Sequence, residues 1–82
     1  METFEEAYER LYDRTKKQTI PQLGVPIVFL NYHSKNDWNC TIKKAGEEEQ
    51  VADGSGNTPH DAVLDCEYQL LRRIVDDDWV VD

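Results

Sequence analysis

Trp38-Asn39-Cys40-Thr41-Ile42-Lys43-Lys44 alternates without a break, with Trp38, Cys40 and Ile42 on one parity and Asn39, Thr41 and Lys43 on the other. Side chains leave a strand on opposite faces with a period of two, so this stretch is a strand with one face in a core and one toward solvent. Just upstream, Ile27-Val28-Phe29-Leu30-Asn31-Tyr32 is β-branched and aromatic, which is strand composition. It is apolar on both parities, which predicts a central strand covered on both faces. The turn cluster Ser34-Lys35-Asn36-Asp37 is short enough to join the two strands as a hairpin. Downstream, Ala45-Gly46-Glu47-Glu48-Glu49 reads as an exposed acidic turn and Gln50-Val51-Ala52-Asp53 as a short third strand at an edge. Asp53-Gly54-Ser55-Gly56-Asn57 reads as a flexible connector, because Gly and Asn favour turns.

Helices flank this sheet. Thr3 followed three residues later by Glu6 is a capping box. Phe4, Ala7, Tyr8, Leu11 and Tyr12 then recur on one helical face. Acids lead and bases trail in this helix, matching its dipole. Glu6 with Arg10 and Asp13 with Lys17 are spaced to pair at i,i+4, and Pro21 stops the segment. The second helix opens at Thr58-Pro59, a cap followed by a proline whose missing N–H costs nothing at the first position, and runs to about Val75. Ala62, Val63, Cys66, Leu70 and Ile74 form one apolar stripe, and Leu64, Tyr68, Leu71 and Val75 a second beside it. One stripe packs on the sheet; the other needs the first helix, a second copy of the chain or a partner. The predicted core is Phe4, Tyr8, Leu11, Ile27, Phe29, Trp38, Cys40, Ile42, Val63, Cys66, Leu70 and Ile74.

The fold class that follows is α+β: an N-terminal helix, an antiparallel two- to three-stranded sheet and a C-terminal helix. Residues 1–82 form a single small domain, with 76–82 as an acidic C-terminal tail. Eighty-two residues give room for one core. With 17 acidic against 9 basic residues the net charge is -8. That argues against direct binding to nucleic acid or an anionic membrane, both of which need a basic face. The N-terminus has no basic region followed by an apolar run, and no apolar stretch approaches a membrane span. The expected location is therefore cytoplasmic, with Cys40 and Cys66 as reduced, buried thiols. Asn39-Cys40-Thr41 formally matches a glycosylation sequon, which a cytosolic chain would not use.

The candidates for chemistry are thin. His33, Cys40, His60 and Cys66 make a Cys2His2 inventory, but without the close spacings of structural zinc sites. Gly54-Ser55-Gly56-Asn57-Thr58-Pro59 opens a helix, yet it lacks the Lys-Ser/Thr of a phosphate loop and is flanked by Asp53 and Asp61. Glu47–Glu49 and Asp76–Asp78 lack the alternating oxygens and Gly of an EF-hand. No nucleophile–base or paired-carboxylate arrangement has supporting context. The expectation is no cofactor, no metal and no enzymatic activity.

Trp38-Asn39-Cys40-Thr41-Ile42, followed by Val51-Ala52-Asp53-Gly54-Ser55-Gly56-Asn57-Thr58-Pro59-His60-Asp61-Ala62-Val63-Leu64-Asp65-Cys66, resembles small phage-encoded α/β sandwich proteins. In these a Trp-containing strand is followed by a Gly-Thr-Pro type helix start and an Ala-Val/Ile-x-x-Cys helix. The pattern is similar to the N-terminal domain of HicB-like antitoxins over roughly residues 25–75, without the DNA-binding segment that follows in the antitoxin. The resemblance implies a phage or prophage context, where small proteins often inhibit host enzymes or bacterial immunity; the location would then be the bacterial host cytoplasm. The leading expectation is a protein that binds and inhibits a host protein with a basic nucleic-acid-binding surface. An anti-CRISPR acting by steric blockade or DNA mimicry is its most concrete form. Glu47, Glu48, Glu49, Asp76, Asp77 and Asp78 would contact the partner, with Trp79 as an aromatic anchor. The alternatives are a homodimeric structural or assembly protein that buries Leu64, Tyr68, Leu71 and Val75, and an antitoxin-like protein binder.

Overall fold

A computed structural model describes residues 1–16 and 20–80. The order is α1 (Phe4–Lys16), a 3-10 turn (Pro21–Leu23), β1 (Pro26–Ser34), β2 (Asp37–Lys44), β3 (Gln50–Gly56) and α2 (Pro59–Asp76). The strands form one antiparallel sheet in the order β1-β2-β3. The architecture is therefore α+β, with three strands, as the hairpin pattern predicts.

Both helix starts form as their sequences dictate. Thr3 N donates to Glu6 Oε1 and Glu6 N to Thr3 Oγ1, each at 3.2 Å, the reciprocal exchange of a capping box. Asp61 N donates to Thr58 Oγ1 at 3.1 Å, with Pro59 next in line. α2 ends in a Schellman motif. Asp78 takes a left-handed backbone (φ 53°), Trp79 N reaches back to Ile74 O at 2.9 Å, and Asp78 N to Val75 O at 3.3 Å.

The helices cover one face of the sheet. α2 packs chiefly on β3 and also on β2, while α1 lies beside α2 toward β1. Cys40 and Ile42 of β2 and Ala52 of β3 meet Ala62, Val63, Cys66 and Leu70 of α2, with Ala7 and Leu11 of α1 and Ile20 and Leu23 of the connecting segment closing the core. Val51 is also buried.

Three expectations are corrected. β1 is an edge strand, not a central one, and Ile27 and Phe29 are not in the core: they project from the uncovered face, 39 % and 42 % exposed. An edge strand that is apolar on both faces reads in sequence like a central strand. Residues 53–56 are not a flexible connector; they complete β3. Gly54 and Gly56 are there because α2 lies so close that a Cβ at Gly54 would sit 2.1 Å from Cys66 N, and one at Gly56 2.5 Å from Asp61 Cβ. Glycine in a strand often marks such a close approach. Finally, Arg10 bonds Glu2 and Glu67 rather than Glu6; the Asp13–Lys17 pairing involves a residue outside the described ones.

Candidate functional site

The two acidic runs singled out in the sequence converge on one end of the molecule. The turn between β2 and β3 carries Glu47, Glu48 and Glu49, all exposed. The end of α2 carries Asp76, Asp77 and Asp78, also exposed. Glu47, Glu49, Lys44, Arg73 and Trp79 line one small hollow of about 30 Å³ between these two segments. Trp79 is half-buried and packs against the core, with the Arg73 guanidinium 5.2 Å from its ring centroid. The Schellman turn fixes the entry of its backbone, and the indole forms a wall of this end.

Beside this end runs a groove of about 490 Å³ between β3 and the C-terminal half of α2. Arg72 and Arg73 line it together with Asp53, Asp76 and Asp77. Arg73 Nε bonds Asp77 at 2.6 Å, and Arg72 Nε lies 3.8 Å from Asp76. Both bases are thus engaged by carboxylates of their own helix. Arg73 also donates to the carbonyl of Val51 at 3.2 Å.

Leu64, Tyr68, Leu71 and Val75 stay together as a stripe on the outer side of α2, and all four are exposed. α1 does not cover them, because it docks on a different flank of α2. There, Arg10 Nε and Arg14 Nε both donate to Glu67, at 2.8 and 2.9 Å. Burial of Glu67 opposes its ionisation, but the two guanidinium hydrogen bonds outweigh this and hold its carboxyl below the usual range. Arg10 also bonds Glu2, whose Oε2 lies 3.4 Å from His60 Nε2. The Arg10 hydrogen bond likewise holds Glu2 below its ordinary value.

The uncovered face of the sheet was not marked as a site by sequence. Thr41 is only 3 % exposed there. Its Oγ1 lies 2.8 Å from Asn39 Oδ1 and 3.0 Å from Asp53 Oδ1. Asn39 Nδ2 donates to Asp53 and, at 3.0 Å, to the Gly54 carbonyl. This network ties β2 to β3, and Phe29 stands directly across from Thr41 in the ladder. The alternation of Asn39, Thr41 and Lys43 marked the face; what it could not mark was the pairing with Asp53, which depends on register.

Cys40 and Cys66 are both buried and reduced, facing each other from β2 and α2. The hydrogen bond they share, followed by burial, pushes the Cys66 thiol up. Among the described residues no group of three His, Cys, Asp or Glu side chains could hold a metal ion, and no helix is long and apolar enough to cross a membrane. Comparison with protein-family models, curated proteins and solved structures returns no match.

Proposed function

We propose that this protein is a binding module that docks its acidic end on a basic surface of a partner protein and blocks it. The observation that carries the reading is convergence. Two acidic runs some 27 residues apart in sequence lie on neighbouring segments, with Glu47 and Glu49 sharing a hollow with the half-buried Trp79 that follows Asp78, on a turn and a helix end held by main-chain hydrogen bonds. Carboxylates carried on a hydrogen-bonded turn and helix end attract a basic groove at long range. The partner class this suits is a protein that handles nucleic acid. A phage inhibitor of a bacterial immune nuclease, acting by steric blockade or DNA mimicry, is its most concrete form.

Affinity purification from a bacterial lysate with the full chain as bait tests this. The expected capture is a basic nucleic-acid-handling protein whose association weakens steeply with salt. It should be lost when Glu47, Glu48, Glu49, Asp76, Asp77 and Asp78 all become Ser. Binding that survives those six changes would reject the acidic end as the contact.

A second reading has its own observation. The stripe Leu64, Tyr68, Leu71 and Val75 is exposed along more than three helical turns, which suits a protein contact of the homodimeric or antitoxin-like kind. Tyr68→Asp separates it from the first, since it places a charge in the stripe and leaves the acidic end intact.

A further inference from the structure

The two edges of the sheet are built differently. At β3, the side chains of α2 engage the main chain: Asp65 accepts from Ser55 N at 2.9 Å, and Arg73 donates to Val51 O. Asp53 adds a charge to the same strand. These are the devices that blunt a sheet edge against further pairing. Among the described residues, β1 has none of them between Ile27 and Tyr32. It is a nine-residue strand whose middle, Ile-Val-Phe-Leu-Asn-Tyr, carries no charge and no proline.

The ladder fixes which main-chain groups face out. Val25 O accepts from Ala45 N at 2.8 Å, and hydrogen-bonded residues alternate along an antiparallel pair. Residues 27, 29 and 31 therefore bond β2, while Val28, Leu30 and Tyr32 turn their N–H and C=O outward. Pro26 O, on the same outward parity, is taken by Lys16 Nζ. Among the described residues no such bond is made to Val28, Leu30 or Tyr32.

We propose that β1 is a self-pairing edge: a second copy of the chain adds its own β1 antiparallel to it, making a continuous six-stranded sheet. Charge selects this occupant. A chain of net charge -8 meets its own copy at least cost through a segment that is itself uncharged; residues 14–36 hold no acid, and their bases Arg14, Lys16, Lys17 and Lys35 all lie outside the uncharged stretch Ile27–Tyr32. The strand is also complementary to itself about Phe29. In that register Val28 and Leu30 exchange main-chain hydrogen bonds with Leu30 and Val28 of the copy. The two Phe29 rings stand side by side on the uncovered face, with each Ile27 beside an Asn31. On the helical side, Tyr8 and Tyr12 lie on the flank of α1 opposite Arg10 and Arg14, which point to α2. Tyr12 on that flank is exposed. Because β1 and β3 are opposite edges, the dimer leaves both acidic ends free, so the inference is independent of what they bind.

The test is sedimentation equilibrium of the full chain from about 1 to 100 µM, with amide hydrogen exchange on the same samples. A dimer is expected, with the Val28 and Leu30 amides protected as it forms. Phe29→Lys sets two like charges opposite each other at the axis and, lying on the uncovered face, leaves the core alone; it should weaken dimerisation by about tenfold or more. Val28→Pro removes one outward N–H without touching the β2 ladder and should do the same, with circular dichroism confirming the fold of each variant. Tyr68→Asp should leave the dimer intact. A monomer throughout that range overturns the proposal. So does a dimer that persists in both β1 variants, or one lost in Tyr68→Asp, or a monomer whose β1 amides become protected only on adding a foreign extended peptide.

Discussion

Replacing Gly54 by Ala adds one methyl group at the tightest point of the molecule. Its Cβ would fall 2.1 Å from Cys66 N, 2.6 Å from Cys66 Cα and 2.7 Å from Asp65 C, all backbone atoms of α2. Ordinary contact begins near 3.4 Å, so the helix backbone must retreat by roughly 1.3 Å, and a gap of about 1 Å already forfeits up to half of a dispersion contact. The retreat would loosen Ala62, Cys66 and Leu70 against Cys40, Ile42 and Ala52, which is most of the sheet–helix core. Overpacking a core costs about 1–3 kcal/mol. The clash here is with main chain that cannot rotate away, so the upper end, about 3 kcal/mol, is expected. For a domain of this size that is a Tm lowered by roughly 12–24 °C. Urea and thermal unfolding followed by circular dichroism measure it, with Ser55→Ala on the exposed side of the same strand as a control expected within about 0.5 kcal/mol of the parent. Gly56→Ala clashes with the same helix at Asp61 and Ala62. One retreat relieves both, so the double variant should lose less than the two single losses combined. If Gly54→Ala matched the control, α2 would not be seated on β3 as described, and the packing argument would fall.

Glu67 should show in the acid limb of stability. Its pKa is lowered in the fold by Arg10 and Arg14, so its contribution is complete above the ordinary carboxylate range and is lost as pH falls through the lower folded value. Glu67→Gln should flatten that part of a Tm–pH curve and cost about 1–3 kcal/mol at neutral pH. Thr58→Ala removes the cap of α2 and should cost about 1 kcal/mol in urea unfolding. Cys40 and Cys66 should react with a thiol reagent only as fast as the domain opens, because both are fully buried and the Cys66 thiol is pushed up. Fast modification of either in native protein would contradict the packing of β2 on α2.

The sequence signals that worked are local. Thr3 with Glu6 and Thr58 with Pro59 set helix starts through groups within three residues of each other. The parity of Trp38, Cys40 and Ile42 placed β2 correctly, because a half-covered strand shows its two faces directly. The signals that failed depend on what lies across space. Gly54 and Gly56 look like a loop until α2 is laid on them. Arg10 looks like a partner for Glu6 until Glu67 arrives from the other helix. Ala7 and Ala62 fall on the apolar helical faces but, like Ala52, are absent from the predicted core because they are small; all three are buried and let the layers approach. Of the candidate site, the acidic residues were visible as runs, but only the hairpin's length and the end of α2 bring the two runs together.

β1 is the instructive failure. Apolar residues on both parities predict a strand covered on both faces, and in a single chain Ile27 and Phe29 are uncovered. Exposed apolar side chains on an uncharged edge carry a cost, since such an edge invites aggregation unless it is protected. β3 in the same sheet is protected by Asp53, Asp65 and Arg73, so the chain does not lack the means. The contrast is removed in the paired sheet. There β1 has a neighbour on each side, its outward N–H and C=O groups are bonded, and the Phe29 rings cover each other. The composition that reads as central in sequence then describes its place in the assembly, and the acid-free stretch from residue 14 to 36 acquires a physical reason. The same reasoning carries a cost at low salt. The rest of each copy holds every acid of the chain, so repulsion between the two bodies should oppose pairing there and be screened as ionic strength rises. Dimerisation through β1 should therefore strengthen with salt, whereas docking of the acidic end on a basic partner should weaken. Sedimentation and partner binding measured over one salt series would show the two trends crossing, and trends of the same sign would mean that one of the two surfaces has been assigned to the wrong contact.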